Sequence, residues 1–366
     1  MRIAQIVIST DTRRGGLERF VTDLIKELMK YPENQVTLIT CDRKFKADIG
    51  CDVRYVRALA VPGLPIIPSP IDFIKQVNSG FDICHLQYQP LFGEIAALAC
   101  RIRHHTLITT IHCEMKRHVL KTIYDRILVH TISHLSHRIV CLTQDLKTVL
   151  VGRGLDERKV VVIPNAMHVK ELQSEVSSLK DVAHTDGGFD LLFVGRLEER
   201  KGAQYLIKAL SILNEESLRL TLKIVGDGIY KHKLESFVKQ NGLSSQVVFS
   251  GYISREELLE NYLRARCVVI PSLEEGTPGV AIEALALGKP IIATSIPGME
   301  VVSSNKLGFV VPPGDCEALA AALSKSKFIG DNELHRIECA AKKVAEQFDW
   351  SSTIKQTLRL YQDCRE

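Results

Sequence analysis

Three short segments of the sequence place glycines and charged side chains where a strand-like run ends and a helical pattern begins. The first is RGGLE at 14–18, the second is GRLEERKG at 195–202, and the third is EGTPGVAIEA at 275–284. Glycines at such turns let the backbone approach a ligand closely, and the N-terminus of the following helix favours an anion. The three segments therefore predict contacts with an anionic ligand at the carboxyl ends of strands. The dinucleotide pattern Gly-x-Gly-x-x-Gly is absent, which argues against an NAD enzyme.

Charged residues in the second and third segments indicate which groups such a ligand carries. Arg196 and Lys201 flank the turn of the second segment, and two cations beside a helix N-terminus suit a diphosphate. Glu275 and Glu283 are eight residues apart, and the loop between them allows both carboxylates to reach one ligand and accept from vicinal hydroxyls. The alternatives are a solvated basic loop for the second segment and ordinary helix charges for the two glutamates.

Composition places the chain among soluble globular proteins. It has 366 residues, of which 45% are hydrophobic and 25% charged, a length typical of about two domains. No apolar run is long enough to span a bilayer, and the apolar stretch at 58–71 is interrupted by four prolines. The N-terminus resembles a strand rather than a secretory signal, and the ten cysteines include no Cys-x-x-Cys pair. We therefore expect reduced cysteines and a cytoplasmic protein.

Charge is distributed unevenly along the chain. The net charge is +4, yet residues 1–165 carry 23 Lys and Arg against 16 Asp and Glu. This excess is too small and too scattered to predict nucleic-acid binding. It is sufficient for attraction to an anionic lipid surface or an anionic acceptor.

Short β-branched runs alternate with amphipathic helical runs along the whole chain. Seven strand-like runs lie between residues 2 and 164 and six between 189 and 311, with helical patterns such as 115–135 between them. This alternation predicts an α/β fold with two Rossmann-like parallel-sheet domains facing across a cleft. We place the domains at 1–165 and 189–348, with a polar linker at 166–188.

An ordered set of motifs in the second half points to one family. The set reads FVGRLEERKG at 193–202, IVGDG at 224–228, FSGYISREEL at 249–258, PSLEEGTPGVAIEALALGKPIIAT at 271–294 and GFVVPPGD at 308–315. It resembles the retaining glycosyltransferases of family 4, or glycosyl transferases group 1, which have the two-domain GT-B fold. In this resemblance the first domain is on the acceptor side and the second binds the nucleotide sugar. The segment after Asp349-Trp350-Ser351 resembles the family's final helix, so residues 349–366 would cross back to the first domain.

The resemblance implies a role for each matched residue. Arg196 and Lys201 would hold the donor diphosphate, Glu275 the hydroxyls of the transferred sugar, and Glu283 the ribose hydroxyls. His112 matches a histidine that family members place against the donor sugar, although the usual His-Asp reads His112-Cys113 here. The remaining substrate-binding positions are Gly15 and Gly16 for the distal phosphate, Gly226, Asp227, Tyr252 and Ile253 near the base, and Pro278, Gly279 and Val280 beside the sugar.

The implied reaction is the transfer of a sugar from a nucleoside-diphosphate sugar with retention of anomeric configuration. The residues expected to be catalytic are Arg196, Lys201, Glu275 and His112. Cations and helix dipoles would stabilise the leaving diphosphate. The sequence contains no Asp-x-Asp, the motif that holds a divalent metal in the other common glycosyltransferase fold. We therefore expect neither a metal nor another cofactor.

Other functions and the acceptor stay open at this point. A non-catalytic GT-B scaffold subunit, a nucleotide-sugar epimerase and an inverting transferase are the alternatives. The segment MKRHVLK at 115–121 combines cations with apolar residues, as helices at a membrane interface do. It favours a lipid-linked acceptor or a glycan intermediate, with the protein held peripherally on the inner face of a membrane.

Overall fold

A computed structural model of the chain describes residues 1–8, 16–41, 49–59, 67–77, 80–89, 92–112, 131–179 and 188–365. The chain divides into two compact units. The first comprises Met1–Ala166 together with Trp350–Glu366, and the second comprises Met167–Asp349.

The first unit is built on a parallel sheet. The strands in its described part are β1 (Arg2–Ile6), β2 (Gln35–Thr40), β3 (Asp52–Tyr55), β4 (Ala58–Leu59), β5 (Ile67–Pro68), β6 (Ile83–Gln87), β7 (Thr106–Ile111), β8 (Arg138–Cys141) and β9 (Val160–Val162). Seven of them pair in parallel in the order β3-β2-β1-β6-β7-β8-β9, while β4 and β5 form a short antiparallel pair.

Helices cover both faces of this sheet. They are α1 (Gly16–Met29), α2 (Pro70–Gln76), α3 (Phe92–Ile102), α4 (Gln144–Gly152) and the C-terminal helix (Trp350–Asp363). Successive strand residues point to opposite faces, so Ala4 and Ile6 join one apolar cluster while Ile3 and Val7 join the other. The second of these clusters also contains Trp350 and other residues of the C-terminal helix, so that helix is part of the first unit's core.

The second unit repeats this layered architecture with six strands in its described part. They are β10 (Phe189–Val194), β11 (Leu222–Val225), β12 (Val247–Gly251), β13 (Ala265–Ile270), β14 (Ile291–Thr294) and β15 (Gly308–Val311), all parallel, in the order β12-β11-β10-β13-β14-β15. Its helices are α5 (Val169–Leu179), α6 (Ala203–Glu215), α7 (Lys231–Gln240), α8 (Arg255–Arg264), α9 (Gly279–Ala286), α10 (Glu300–Ser304), α11 (Cys316–Lys327) and α12 (Asp331–Ala345).

The segment expected to be a linker is in part a packed helix. The chain passes into the second unit at residue 167, and α5 occupies the first half of the expected linker at 166–188. Val169, Leu172 and Val176 of α5 are buried in the second unit's core. Their spacing gives an apolar stripe on an otherwise polar helix, and this stripe, rather than the average polarity, determines where the segment lies.

Two further expectations concern helices. Most of the helix predicted at 115–135, including the basic segment at 115–121, lies outside the described residues. None of the helices in the described ranges is both long enough and apolar enough to cross a lipid bilayer.

Candidate active site

The strand order of the second sheet reverses between β10 and β13, which are neighbours although they are distant in sequence. The helices that follow these strands lie on opposite faces, because α6 packs in one apolar cluster and α9 in the other. Ligands of open parallel sheets bind at the carboxyl ends of the strands beside such a reversal. Arg196 and Lys201 follow β10 and Glu275 follows β13, so three predicted catalytic residues lie at this position.

Two glycines allow the loops at this edge to approach one another closely. Gly202 has a φ of +73°, and a Cβ atom there would lie 1.8 Å from the carbonyl oxygen of Pro271. Gly226 has a φ of +131°, and a Cβ atom there would lie 1.9 Å from the carbonyl oxygen of Gly195. No other residue type fits either position without displacing the neighbouring backbone.

An ion pair joins the loops that follow β10 and β13. Lys201 Nζ donates a short hydrogen bond to Glu275 Oε1, and Ser272 Oγ donates to the same oxygen at 3.2 Å. The two charged side chains are 19% and 11% exposed, so the pair is largely shielded from water. The structure therefore brings together two residues whose expected partners are different parts of the donor.

Arg196 pairs with a different carboxylate from the one that Lys201 contacts. Its Nη1 lies 2.9 Å from Glu198 Oε1, and Arg200 Nε donates to the other oxygen of that carboxylate at 2.9 Å. The Arg196 side chain is 44% exposed. It is thus an accessible cation at the end of β10, paired with Glu198 rather than with Glu275.

Glu283 is buried and held by two partners on α8. Tyr262 donates its hydroxyl proton to Oε2 at 2.7 Å, and Arg255 Nη1 donates to Oε1 at 3.1 Å. Burial and the Glu283 charge raise the pKa of Tyr262 well above its usual value, so the phenol stays a donor. These contacts exclude the alternative of a helix-surface charge. Each carboxylate oxygen can accept a second hydrogen bond, so Glu283 retains capacity for hydroxyl groups.

The positions expected to make main-chain contacts lie in turns at the same edge of the sheet. Pro278 is the N-cap of α9, so the amides of Gly279 and Val280 lie in its first turn, at the positive end of the helix dipole. The turns after the neighbouring strands β11 and β12 lie at the same edge of the sheet. They contain Gly226 and Asp227 after β11, and the exposed Tyr252 and the half-buried Ile253 after β12.

In the first unit the structure describes two of the expected positions. His112 follows β7, and burial lowers its pKa to about 4, so the imidazole is neutral at pH 7. Gly16 begins α1, and a Cβ atom there would meet nothing within 4 Å. No contact within the described protein therefore requires a glycine at this position. A ligand that approached the backbone closely would require one. Gly15 lies outside the described residues.

Two family models match consecutive parts of the chain. The model of the family described as "Glycosyltransferase Family 4" matches residues 14–171, and that of "Glycosyl transferases group 1" matches residues 177–344. The chain belongs to the family 4 glycosyltransferases. It is a glycosyltransferase, and the alternatives of a non-catalytic scaffold and an epimerase are set aside.

Relatives that match over most of the chain carry related names. This glycosyltransferase is 25% identical to the D-inositol 3-phosphate glycosyltransferase of Corynebacterium urealyticum, over 99% of this chain and 95% of that protein. It is 26% identical to the phosphatidyl-myo-inositol mannosyltransferase of Mycobacterium leprae, over 99% of this chain and 96% of that protein. An uncharacterised glycosyltransferase of Methanocaldococcus jannaschii is 29% identical, over 65% of this chain and 64% of that protein.

Solved structures show the same fold. HepE of Anabaena, crystallised in complex with UDP, superimposes with a TM-score of 0.82 over 99% of this chain and all of that one, at 20% identity. This likeness shows the GT-B fold, with its two Rossmann-like open sheets.

Four residues that hold the predicted ones were not predicted from the sequence. Glu198 pairs with Arg196, Ser272 donates to Glu275, and Arg255 and Tyr262 hold Glu283. Glu198 and Ser272 are close in sequence to their partners and could have been proposed from the motifs. Arg255 and Tyr262 precede Glu283 by 28 and 21 residues, and only the fold brings them to it.

The close approach at Gly202 can be tested against a glycine of matching backbone conformation. Gly242 has a φ of +67°, but a Cβ atom there would meet nothing within 4 Å. Gly242→Ala should lower the free energy of unfolding by about 1–2 kcal/mol, the cost of a left-handed alanine. Gly202→Ala should cost about 1–3 kcal/mol more, because the backbone of Pro271 must also move. Urea unfolding of both variants measures this difference, and equal losses would show that the loop tolerates a side chain.

Proposed function

We propose that the protein transfers a sugar from a nucleoside-diphosphate sugar to an acceptor, with retention of anomeric configuration and without a metal ion. The observation that carries this proposal is the Lys201–Glu275 pair at the strand-order reversal of the second sheet, together with Arg196 at the end of β10. An accessible guanidinium, an ammonium group and the N-terminus of α9 suit a diphosphate. The UDP bound by the similar HepE supports a donor of this class.

The ion pair suggests how donor binding prepares the sugar's site. A diphosphate that attracts Lys201 competes with Glu275 for the ammonium group. Glu275 Oε1 would then accept a hydrogen bond from a hydroxyl of the transferred sugar. Glu283, held by Tyr262 and Arg255, would accept from the ribose hydroxyls. The family resemblance assigns Gly15 and Gly16 to the distal phosphate.

The chemical step in this proposal depends on charge stabilisation. As the bond between the anomeric carbon and the diphosphate oxygen breaks, negative charge grows on the leaving phosphate. Arg196, Lys201 and the positive end of α9 stabilise that charge in place of a metal ion. The acceptor hydroxyl attacks from the face that the phosphate leaves and passes its proton to a phosphate oxygen. For His112 the family resemblance implies a place against the donor sugar, and its imidazole is neutral at pH 7.

Product analysis tests this reaction directly. The protein is incubated with a panel of nucleotide sugars in buffer containing a metal chelator, and release of nucleoside diphosphate is followed. NMR of the glycosylated product should then show the anomeric configuration of the donor. An inverted product, or turnover that the chelator abolishes, would contradict the proposal.

The two cations should matter for turnover far more than for folding. Arg196→Ala and Lys201→Ala should each lower kcat by about 10²–10³, the loss seen when one oriented transition-state donor is removed. Lys239→Ala, which removes an exposed cation of the same unit, serves as the matched control and should leave turnover unchanged. If both cation variants turned over like the wild type, the diphosphate would bind elsewhere.

We further propose a lipid-linked acceptor and reversible attachment to an anionic membrane surface. The positive charge of the first 165 residues supports this, as does the name of the mycobacterial relative, a phosphatidyl-myo-inositol mannosyltransferase. Lys116, Arg117 and Lys121 are the candidate lipid contacts, and all three lie outside the described residues.

Vesicle sedimentation tests the attachment. Each cation near an anionic surface contributes about 1 kcal/mol, and salt screens the attraction. The protein should therefore sediment with anionic vesicles at low salt and be released at high salt. Neutralising Lys116, Arg117 and Lys121 together should abolish sedimentation and leave nucleotide affinity intact. Sedimentation that is indifferent to lipid charge would favour a soluble acceptor.

A further inference from the structure

A network of buried polar side chains lies beneath His112 in the first unit. Its members come from three adjacent strands and the C-terminal helix, and five of them are at most 4% exposed: Gln5, His85, Gln87, Thr110 and Tyr361. On the same face of the sheet the neighbouring residues are apolar, including Ile3, Val7, Ile83 and Ile108.

The contacts form one continuous chain. His112 Nε2 lies 2.8 Å from Gln87 Oε1, and Gln87 Nε2 donates to Gln5 Oε1 at 3.3 Å. Gln5 Nε2 donates to the Tyr361 hydroxyl oxygen at 2.9 Å, which lies 2.6 Å from His85 Nδ1. His85 Nε2 completes the chain at 2.7 Å from the Thr110 hydroxyl.

The orientations of the Gln5 and Gln87 amides set the direction of the chain. An amide oxygen only accepts, so His112 Nε2 must carry the proton that it shares with Gln87. With the amides in this orientation, the Tyr361 oxygen accepts from Gln5 and can donate its own proton to His85 Nδ1. The proton of that neutral ring is then on Nε2 and is donated to Thr110.

Aromatic contacts hold the plane of the His112 ring. Phe20 of α1 packs against it edge-to-face with ring centroids 5.6 Å apart. Phe20 in turn stacks on Trp350 with centroids 5.2 Å apart and an interplanar angle of 23°. The C-terminal helix thus supports His112 along two paths, through Trp350 and through Tyr361.

The network is costly if its purpose is only to stabilise the fold. Burying amide, imidazole and phenol groups gains little over packing apolar side chains of the same volume. A buried network of hydrogen bonds does hold its members rigidly. The network ends at His112, the residue that follows β7, so this rigidity extends to its imidazole.

We propose that Gln87, Gln5 and Tyr361 are positioning residues that hold His112 as the neutral Nε2–H tautomer. The lone pair is then on Nδ1, which can accept a hydrogen bond from a hydroxyl of the donor sugar. That this hydroxyl belongs to a donor sugar rests on the proposed function. The tautomer of His112 does not depend on the proposed function.

Nitrogen NMR of the free protein tests the tautomer without any reaction. In protein labelled with ¹⁵N-histidine, the His112 signals are assigned by their loss in His112→Gln. The wild type should show Nε2 protonated and Nδ1 unprotonated at pH 7.5. Tyr361→Phe removes the acceptor of Gln5 and the donor to His85, so the chain can run in either direction. We expect this variant to populate the Nδ1–H form of His112 to at least one tenth.

Tyr88→Phe is the matched control. It removes a hydroxyl that donates to Glu94 at 2.8 Å in the same unit, outside the network. It should leave the His112 tautomer as in the wild type. If Tyr361→Phe does not fold, Gln87→Met replaces it, since this change removes the amide next to His112 and keeps the side-chain length.

Kinetics provide the second readout. Tyr361→Phe should lower kcat about tenfold, because His112 is then held loosely at the reacting site. The KM for the donor should change less than twofold. Wild-type His112 in the Nδ1–H form, or a tautomer that neither Tyr361→Phe nor Gln87→Met changes, would overturn the proposal. If the tautomer responds as expected but the wild type transfers no sugar, the proposed function fails and the positioning network stands.

Discussion

The contact on which the proposed donor site depends is the ion pair between Lys201 and Glu275. It joins the loops after β10 and β13, the two strands between which the order of the second sheet reverses. Since the following helices leave to opposite faces, these loops would otherwise diverge. The glycine at 202, which allows the first loop to reach the backbone of the second, is a condition for the pair.

In the first unit, other interactions orient His112 at the end of its strand. Arg196 and Lys201 are oriented by charge, whereas His112 is oriented by neutral hydrogen bonds and aromatic packing. Burial keeps the imidazole uncharged, with a pKa of about 4. An uncharged ring keeps one nitrogen as a hydrogen-bond acceptor, which a protonated imidazole lacks. The C-terminal helix is part of this unit because its residues Trp350 and Tyr361 pack in the core beneath His112.

Sequence periodicity was sufficient for the strands, because parallel strands buried on both faces are nearly continuous apolar runs bounded by turns. All thirteen runs that it predicts are found in the two large sheets, and the motifs placed Arg196, Lys201 and Glu275 at one sheet edge. The linker prediction was wrong over α5, because average polarity hid the stripe of Val169, Leu172 and Val176. The partners of Glu283 and the network beneath His112 could not be predicted. Both depend on residues that are distant in sequence and become neighbours only through strand order and helix packing.

A crystal structure with a bound nucleoside diphosphate tests the central claim most directly. The account predicts diphosphate oxygens within hydrogen-bonding distance of the Arg196 guanidinium and Lys201 Nζ. It also predicts ribose hydroxyls donating to Glu283, with the Tyr262 and Arg255 contacts to that carboxylate retained. A diphosphate bound away from the carboxyl ends of β10 and β13, with the Lys201–Glu275 pair undisturbed, would contradict it.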